Sequence, residues 1–177
     1  MSLLTPLRTR GLLLAAAVFA VDRAVKFVLT VPLNLPMKGP FTVLPIFAFR
    51  YTENLGVSLG LFTANSPEQR WMLVAVTAAI AFGVVVWLLR EKTWGEILGL
   101  SLILGGAAGN IWDRVVHGFV IDYADLHFNL WHFGEVRPFL IFNLADAAIT
   151  FGVLILLARS LLLREKPARS GAGAPNA

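Results

Sequence analysis

Four long apolar stretches, separated by polar turns, set the pattern of this chain. Trp71 to Leu89 is 19 residues without a charge, bracketed by Arg70 and Arg90. Pro138 to Ala158 is 21 residues whose only charge is Asp146. Ile97 to Trp112 is uncharged, with Glu96 before it and Asp113-Arg114 after it. Gly11 to about Val31 is apolar except for Asp22, Arg23 and Lys26. A helix needs about 20 apolar residues to cross the hydrocarbon core, so the pattern predicts membrane spans at about 11–31, 71–89, 96–113 and 138–158. Arg8 and Arg10, the apolar run to Val21 and a cleavage position at Ala20 also fit a secretory signal. The apolar character resumes after Lys26, however, which makes the stretch long enough to span.

The connections differ in kind. The turn at 90–93 is short, whereas 33–69 and 114–137 are long. Phe41 to Tyr51 is rich in β-branched and aromatic residues, which favour strands, and Val57 to Phe62 continues apolar. Residues 40–63 therefore predict small strands at the membrane surface. Gly95-x3-Gly99 and Gly105-x3-Gly109 are small-residue helix-packing patterns. Residues 1–165 form a single membrane-embedded domain, and 166–177, rich in Pro, Gly, Ala and Ser, predict a disordered tail. There is no internal repeat.

Composition agrees with a membrane protein. Hydrophobic residues make up 57% of the 177 and charged residues 15%, against about 25% charged in a soluble domain. Disorder is excluded and an ordinary soluble enzyme disfavoured. The absence of cysteine rules out a disulfide framework, a thiol nucleophile and a Cys-ligated metal. A net charge of +4 would suggest nucleic acid in a soluble domain. Here the basic residues sit beside apolar runs, so no nucleic-acid partner is expected. Arg8, Arg10, Arg90, Lys92, Arg159, Arg164, Lys166 and Arg169 all fall on one side if the chain crosses four times, which makes both termini cytoplasmic. The long connections are then on the outer side.

Ionisable groups inside a span cost several kcal/mol unless paired or hydrated, so they are functional candidates. Asp22 and Lys26 stand four apart, acid before base, the favourable helical pairing; Arg23 points elsewhere. The bland reading, favoured here, is an ion pair that orients the bundle. Asp146 falls eight residues into the fourth span, roughly 12 Å along the helix, with no basic residue at i+3 or i+4. Asn143 shares its face. The 114–137 connection and its approach hold the densest polar cluster: Asn110, Asp113, Arg114, His117, Asp122, Asp125, His127, His132, Glu135 and Arg137. Asp122 follows the apolar run Phe119-Val120-Ile121, so Asp122 and Asp146 can both reach the outer boundary and face each other.

Two carboxylates close together in a low-dielectric site share a proton. One then serves as base toward water and the other as acid toward a carbonyl, and no metal or cofactor is needed. Other chemistries stay open on spacing alone. A metal could use Asp122, Asp125, His127 and His132, although no His-Glu-x-x-His occurs. A serine nucleophile with Lys26 would draw on Ser58 or Ser101, neither in a nucleophile elbow; a serine in a span more often bonds its own backbone. A small proton-coupled transporter could relay through Asp22 and Asp146, although no repeat supports it. A non-enzymatic assembly factor would only pack against partner helices.

Four segments, in order, resemble the lipoprotein signal peptidases (signal peptidase II). Gly105-Gly106-Ala107-Ala108-Gly109-Asn110-Ile111-Trp112-Asp113-Arg114, running on to Gly118-Phe119-Val120-Ile121-Asp122-Tyr123, looks like the family's central motif. Phe142-Asn143-Leu144-Ala145-Asp146 resembles its Phe-Asn-x-Ala-Asp motif, Asn54-Leu55-Gly56 its Asn-x-Gly segment, and Asp22-x3-Lys26 its first-span pattern. The likeness covers about residues 11–163. It implies a bacterial cytoplasmic-membrane aspartic protease, with Asp122 and Asp146 catalytic. Asn54, Gly56, Asn110, Arg114 and Asn143 would support substrate and dyad, and Asp22 with Lys26 would be structural. The implied substrate is a lipidated prolipoprotein, cut just before its diacylglyceryl-modified cysteine near the outer leaflet. The enzyme would be a monomer among membrane lipids, with no cofactor and no metal. The implied fold is a mainly α membrane protein: four transmembrane helices, a small β-sheet cradle and a short outer-face helix, matching 40–63 and 115–137. Arg23 stands where the family often has Gln, and Ser58-Leu59 where Ala-Phe is usual, departures that bear on local packing.

Overall fold

A computed structural model describes residues 4–57, 62–63, 66–130 and 134–162. Ser58, Leu59, His132 and the 166–177 tail lie outside the described residues, as do Arg164, Lys166 and Arg169. The chain is mainly helical. Long helices α1 (Pro6–Thr30), α3 (Pro67–Leu88), α4 (Trp94–Val116) and α5 (Leu144–Leu162) are joined by the four-residue α2 (Leu35–Lys38) and by short strands. The strands are β1 (Phe41–Leu44), β2 (Phe47–Asn54), β3 (Gly56–Val57), β4 (Phe62–Thr63), β5 (Val120–Leu126), β6 (Phe128–Leu130) and β7 (Gly134–Val136).

Local chemistry marks the helix starts. Thr5 and Ser66 accept N–H bonds from Arg8 and Gln69, with Pro6 and Pro67 at first helical positions. That is the favoured N-cap and N1 combination. Among the described residues, three helices, α3, α4 and α5, are long and apolar enough to cross a membrane. α1 is 25 residues, but Arg8, Arg10, Asp22, Arg23 and Lys26 interrupt its apolar character.

α4 lies centrally, packing against α1, α3 and α5. Its glycines make this possible. A Cβ on Gly105 would fall 2.6 Å from the Ala15 carbonyl oxygen of α1, and one on Gly99 would fall 2.9 Å from that of Gly152 in α5. The small-residue spacing thus serves backbone contact on two different faces.

β1, β2 and β5 form an antiparallel sheet in that order. The β2–β5 register sets Thr52 opposite Asp122 and Asn54 opposite Val120. Leu29, Leu35, Tyr123 and Ala124 form a small core, with Phe47, Phe49 and Phe142 packed on it. At the end of the bundle away from the sheet, Arg8 donates to the Glu91 carbonyl at 3.0 Å and Arg159 to the Thr93 hydroxyl at 3.3 Å. The N-terminal region of α1, the 89–93 turn and the last turn of α5 are thereby tied together.

Two expectations need correction. The fourth helix starts at Leu144 rather than near Pro138. The residues before it are not helical: Phe142 bridges Ala124 by exchanging backbone bonds (3.1 Å from Phe142 N, 2.7 Å to Phe142 O). Asp146 therefore stands in the first turn, not about two turns deep. The short helix is α2, before the sheet, whereas the described part of the 115–137 connection carries β5, β6 and β7.

Candidate functional site

The site forms where the start of α5 meets β5, β2 and the sheet-side end of α4. A helix start exposes N–H groups without intrahelical partners, and α5 finds a different acceptor for each. Leu144 N–H donates to the Tyr123 hydroxyl at 3.1 Å, Ala145 N–H to Asp22 Oδ1 at 3.2 Å, and Asp146 N–H to Asn143 Oδ1 at 2.9 Å. Asp146 Oδ2 reciprocates by accepting the Asn143 N–H at 3.1 Å, a capping box with aspartate at its third position. The Asp146 side chain is thus fixed at the helix mouth.

Asp122 comes from β5 and is almost wholly buried, at 1% exposure. Its Oδ1 accepts from Asn143 Nδ2 at 2.6 Å and its Oδ2 from Asn54 Nδ2 at 3.0 Å. Asp146 Oδ1 accepts from Asn110 Nδ2 at 2.8 Å. Asn143 also donates to Asn110 Oδ1 at 3.3 Å, so three asparagines link both carboxylates in one network. Gly56 N–H donates to Asn54 Oδ1 at 3.1 Å, and Gly56 O accepts from Arg114 Nη2 at 3.0 Å. The spacing of Asn110 and Arg114 holds them on one face, with Arg114 Nη1 3.5 Å from the Asn110 carbonyl.

Burial first, and the neighbouring Asp146 charge second, push the Asp122 carboxyl up to about 7. The amide donors of Asn54 and Asn143 work against that rise. A carboxyl poised near neutrality beside a second carboxyl can hold a proton and release it within the working range of an acid–base catalyst.

The other sequence candidates are distributed as follows. Asp22 and Lys26 pair at 2.8 Å with no exposure at either side chain. Lys26 also reaches Asp113 at 2.7 Å. Arg23 does not point elsewhere: it pairs with Asp113 too. Its long side chain spans from α1 to α4, which helical spacing alone does not convey. Asp113 carries no separate role in the sequence reading, and its only signal there is a carboxylate at the end of a span that faces intramembrane cations. Asp125 pairs with Arg50 at 2.8 Å and Arg137 at 3.4 Å, and the His127 ring lies 3.4 Å from the Asp125 carbonyl. These residues do not converge with Asp122 as a ligand set. Ser101 donates to Ile97 O at 2.6 Å.

Comparison with known proteins bears on the family and the fold. The family model described as signal peptidase (SPase) II matches residues 14–162. A lipoprotein signal peptidase of Sphingopyxis alaskensis is 48% identical over 162 residues, covering 92% of this chain and 91% of that protein. One from Rhizorhabdus wittichii is 48% identical over 89% of each chain. Among solved structures, a bacterial membrane enzyme determined by the in meso method at 2.3 Å matches with a TM-score of 0.71. It is 23% identical, over 94% of this chain and 95% of its own, and so speaks for the fold alone. A second bacterial membrane enzyme, at 1.9 Å, gives a TM-score of 0.69 at 26% identity, over 89% and 95% of the two chains. With a family match over most of its length and relatives 48% identical over about nine-tenths of it, this chain belongs to the signal peptidase II family and is a membrane protease.

Proposed function

We propose that the protein is an aspartic endopeptidase of the bacterial cytoplasmic membrane that removes signal peptides from diacylglyceryl-modified prolipoproteins, cutting just before the lipidated cysteine. The observation that carries this is the meeting of Asp122 and Asp146 around Asn143, one carboxyl buried and raised to about 7. In this reading Asp122 and Asp146 are the catalytic pair. One carboxylate takes a proton from water as its oxygen attacks the scissile carbonyl carbon, and the other carboxyl gives its proton to the carbonyl oxygen. The resulting gem-diol collapses with breakage of the C–N bond, and the departing amine takes up a proton from the pair. Asn54, Asn110 and Asn143 orient the carboxylates, while Arg114 and Gly56 shape the adjoining wall for substrate backbone.

α1 is then the fourth span, its charges satisfied within the bundle rather than by lipid. The tie of Arg8 and Arg159 to the 89–93 turn supports a basic cytoplasmic end with both termini there, which sets the dyad near the outer leaflet. The enzyme acts as a monomer in one membrane-embedded domain, without metal or cofactor. Cleavage of a synthetic diacylglyceryl precursor peptide by the purified protein tests this. Asp122→Asn and Asp146→Asn should each lose activity by about a thousandfold or more; wild-type rates in either would overturn the dyad.

A further inference from the structure

Each of the two aspartates follows directly on a residue whose peptide N–H is held by the same buried ion network. Ala145 N–H, just before Asp146, donates to Asp22 Oδ1 at 3.2 Å. Ile121 N–H, just before Asp122, donates to Asp113 Oδ2 at 3.2 Å. Lys26 joins the two holders, its Nζ standing 2.8 Å from Asp22 Oδ2 and 2.7 Å from Asp113 Oδ2. All three side chains are fully buried. Arg23 closes the network on Asp113 Oδ1, giving two cations for two carboxylates.

We propose that Asp113, Lys26 and Asp22 form a yoke that fixes the separation of Asp122 and Asp146 by holding the peptide unit ahead of each. Asp113 and Lys26 are thus positioning residues for the cleavage, an inference that rests on the dyad reading above and adds to it.

Stability alone is a poor account of the network. Apolar replacement of a buried ion group is often neutral or stabilising, so its presence calls for a geometric reason. α1 has little else with which to hold the start of α5. Between the two helices lies an apolar groove of about 480 Å³, lined by Leu14, Val18, Val21, Ala147 and Phe151 among others. Gly109 makes the grip possible, since a Cβ there would fall 2.7 Å from Asp22 Oδ2. Among the described residues, the other charged and titratable groups around the dyad and the yoke include Arg114 from α4, Tyr51 from β2 and Tyr123 from β5, with neutral Asn54 from β2.

The test is steady-state cleavage of the synthetic diacylglyceryl precursor by the full-length protein in bicelles, from pH 5 to 9. Asp113→Asn should lower kcat about a hundredfold, the effect of a displacement near 1 Å, with KM within about threefold of wild type. It should also shift the alkaline limb of the rate profile to lower pH. A looser pair repels less, and Lys26, relieved of Asp113, favours the ionised dyad more strongly. Asp125→Asn removes an equally buried carboxylate, on β5, that lies outside the yoke. It should lose thermal stability and leave both limbs in place. Wild-type kcat and an unmoved limb in Asp113→Asn, with Asp122→Asn and Asp146→Asn inactive, would overturn the yoke and leave the dyad standing. Activity in either dyad variant would overturn the dyad instead. If Asp113→Asn does not fold, Asp22→Asn carries the same expectation through Ala145. Where both fold, the double variant should be no slower than the slower single, and additive costs would count against one shared device.

Discussion

Asn143→Ala provides the sharpest check on how the dyad is set. Asn143 is fully buried and its Nδ2 donates to Asp122 Oδ1 at 2.6 Å, a bond that favours the ionised carboxylate. A hydrogen bond to a charged group contributes about 1.5–3 kcal/mol, and 1.36 kcal/mol is one pH unit. The truncation should therefore raise the Asp122 carboxyl from about 7 by about one to two units. The alkaline limb of kcat should move up by that amount, opposite to the shift expected for Asp113→Asn. Losing the cap on α5 adds about 1 kcal/mol of destabilisation, read as a lower Tm. Rates measured on the precursor peptide at half-unit steps, with folded fraction checked at each pH, separate the two effects. A limb that stays in place or moves down would refute the assignment of Asn143 as the donor that holds Asp122 partly ionised.

Three further outcomes follow from the same geometry. A carboxyl raised in the folded state stabilises below its unfolded value and loses that contribution as pH rises through its folded value, here from about 4 to about 7. Asp122→Asn should accordingly gain Tm relative to wild type as pH rises across that window, whatever the offset at pH 4; a flat difference would contradict the raised carboxyl. Lys26→Met leaves Asp22 and Asp113 buried without their shared cation and should cost about 3–5 kcal/mol, measured by thermal or SDS unfolding in detergent. Gly105→Ala brings a Cβ to 2.6 Å from the Ala15 carbonyl oxygen, forcing α1 from α4 at about 1–3 kcal/mol, with Gly83→Ala, which meets nothing within 4 Å, as the neutral reference.

Much of this was legible because lipid and water impose a coarse code. Runs such as Trp71–Leu89 announce a helix by length alone, and Phe41–Tyr51 announces strands by its β-branched and aromatic content. The code fails where hydropathy and geometry part. Pro138 to Phe142 is as apolar as a span yet is not helical, since Phe142 spends its backbone on Ala124. The true start was written in Asn143-x-x-Asp146, a capping pattern that an apolar count overlooks. Arg23 and Asp113 were misjudged or passed over for another reason. Their meeting links α1 to α4 across 90 residues, and helical periodicity describes one helix at a time. The two aspartates came from paired-carboxylate chemistry and motif likeness. Their hold on Ala145 and Ile121 came only from the folded chain.

The asparagines carry one more consequence. An amide side chain can face either way, yet here each is turned by something it cannot refuse. Asn54 Oδ1 is occupied by the Gly56 N–H and Asn143 Oδ1 by the Asp146 N–H, so their NH2 groups point at Asp122. Asn143 in turn occupies Asn110 Oδ1, which aims the Asn110 NH2 at Asp146. The direction in which donors meet the dyad is therefore written by two main-chain amides. No point substitution deletes a main-chain N–H except one to proline. The orientation of the three amides is thus anchored in backbone groups that, while the asparagines stay in place, only proline at 56 or 146 would remove.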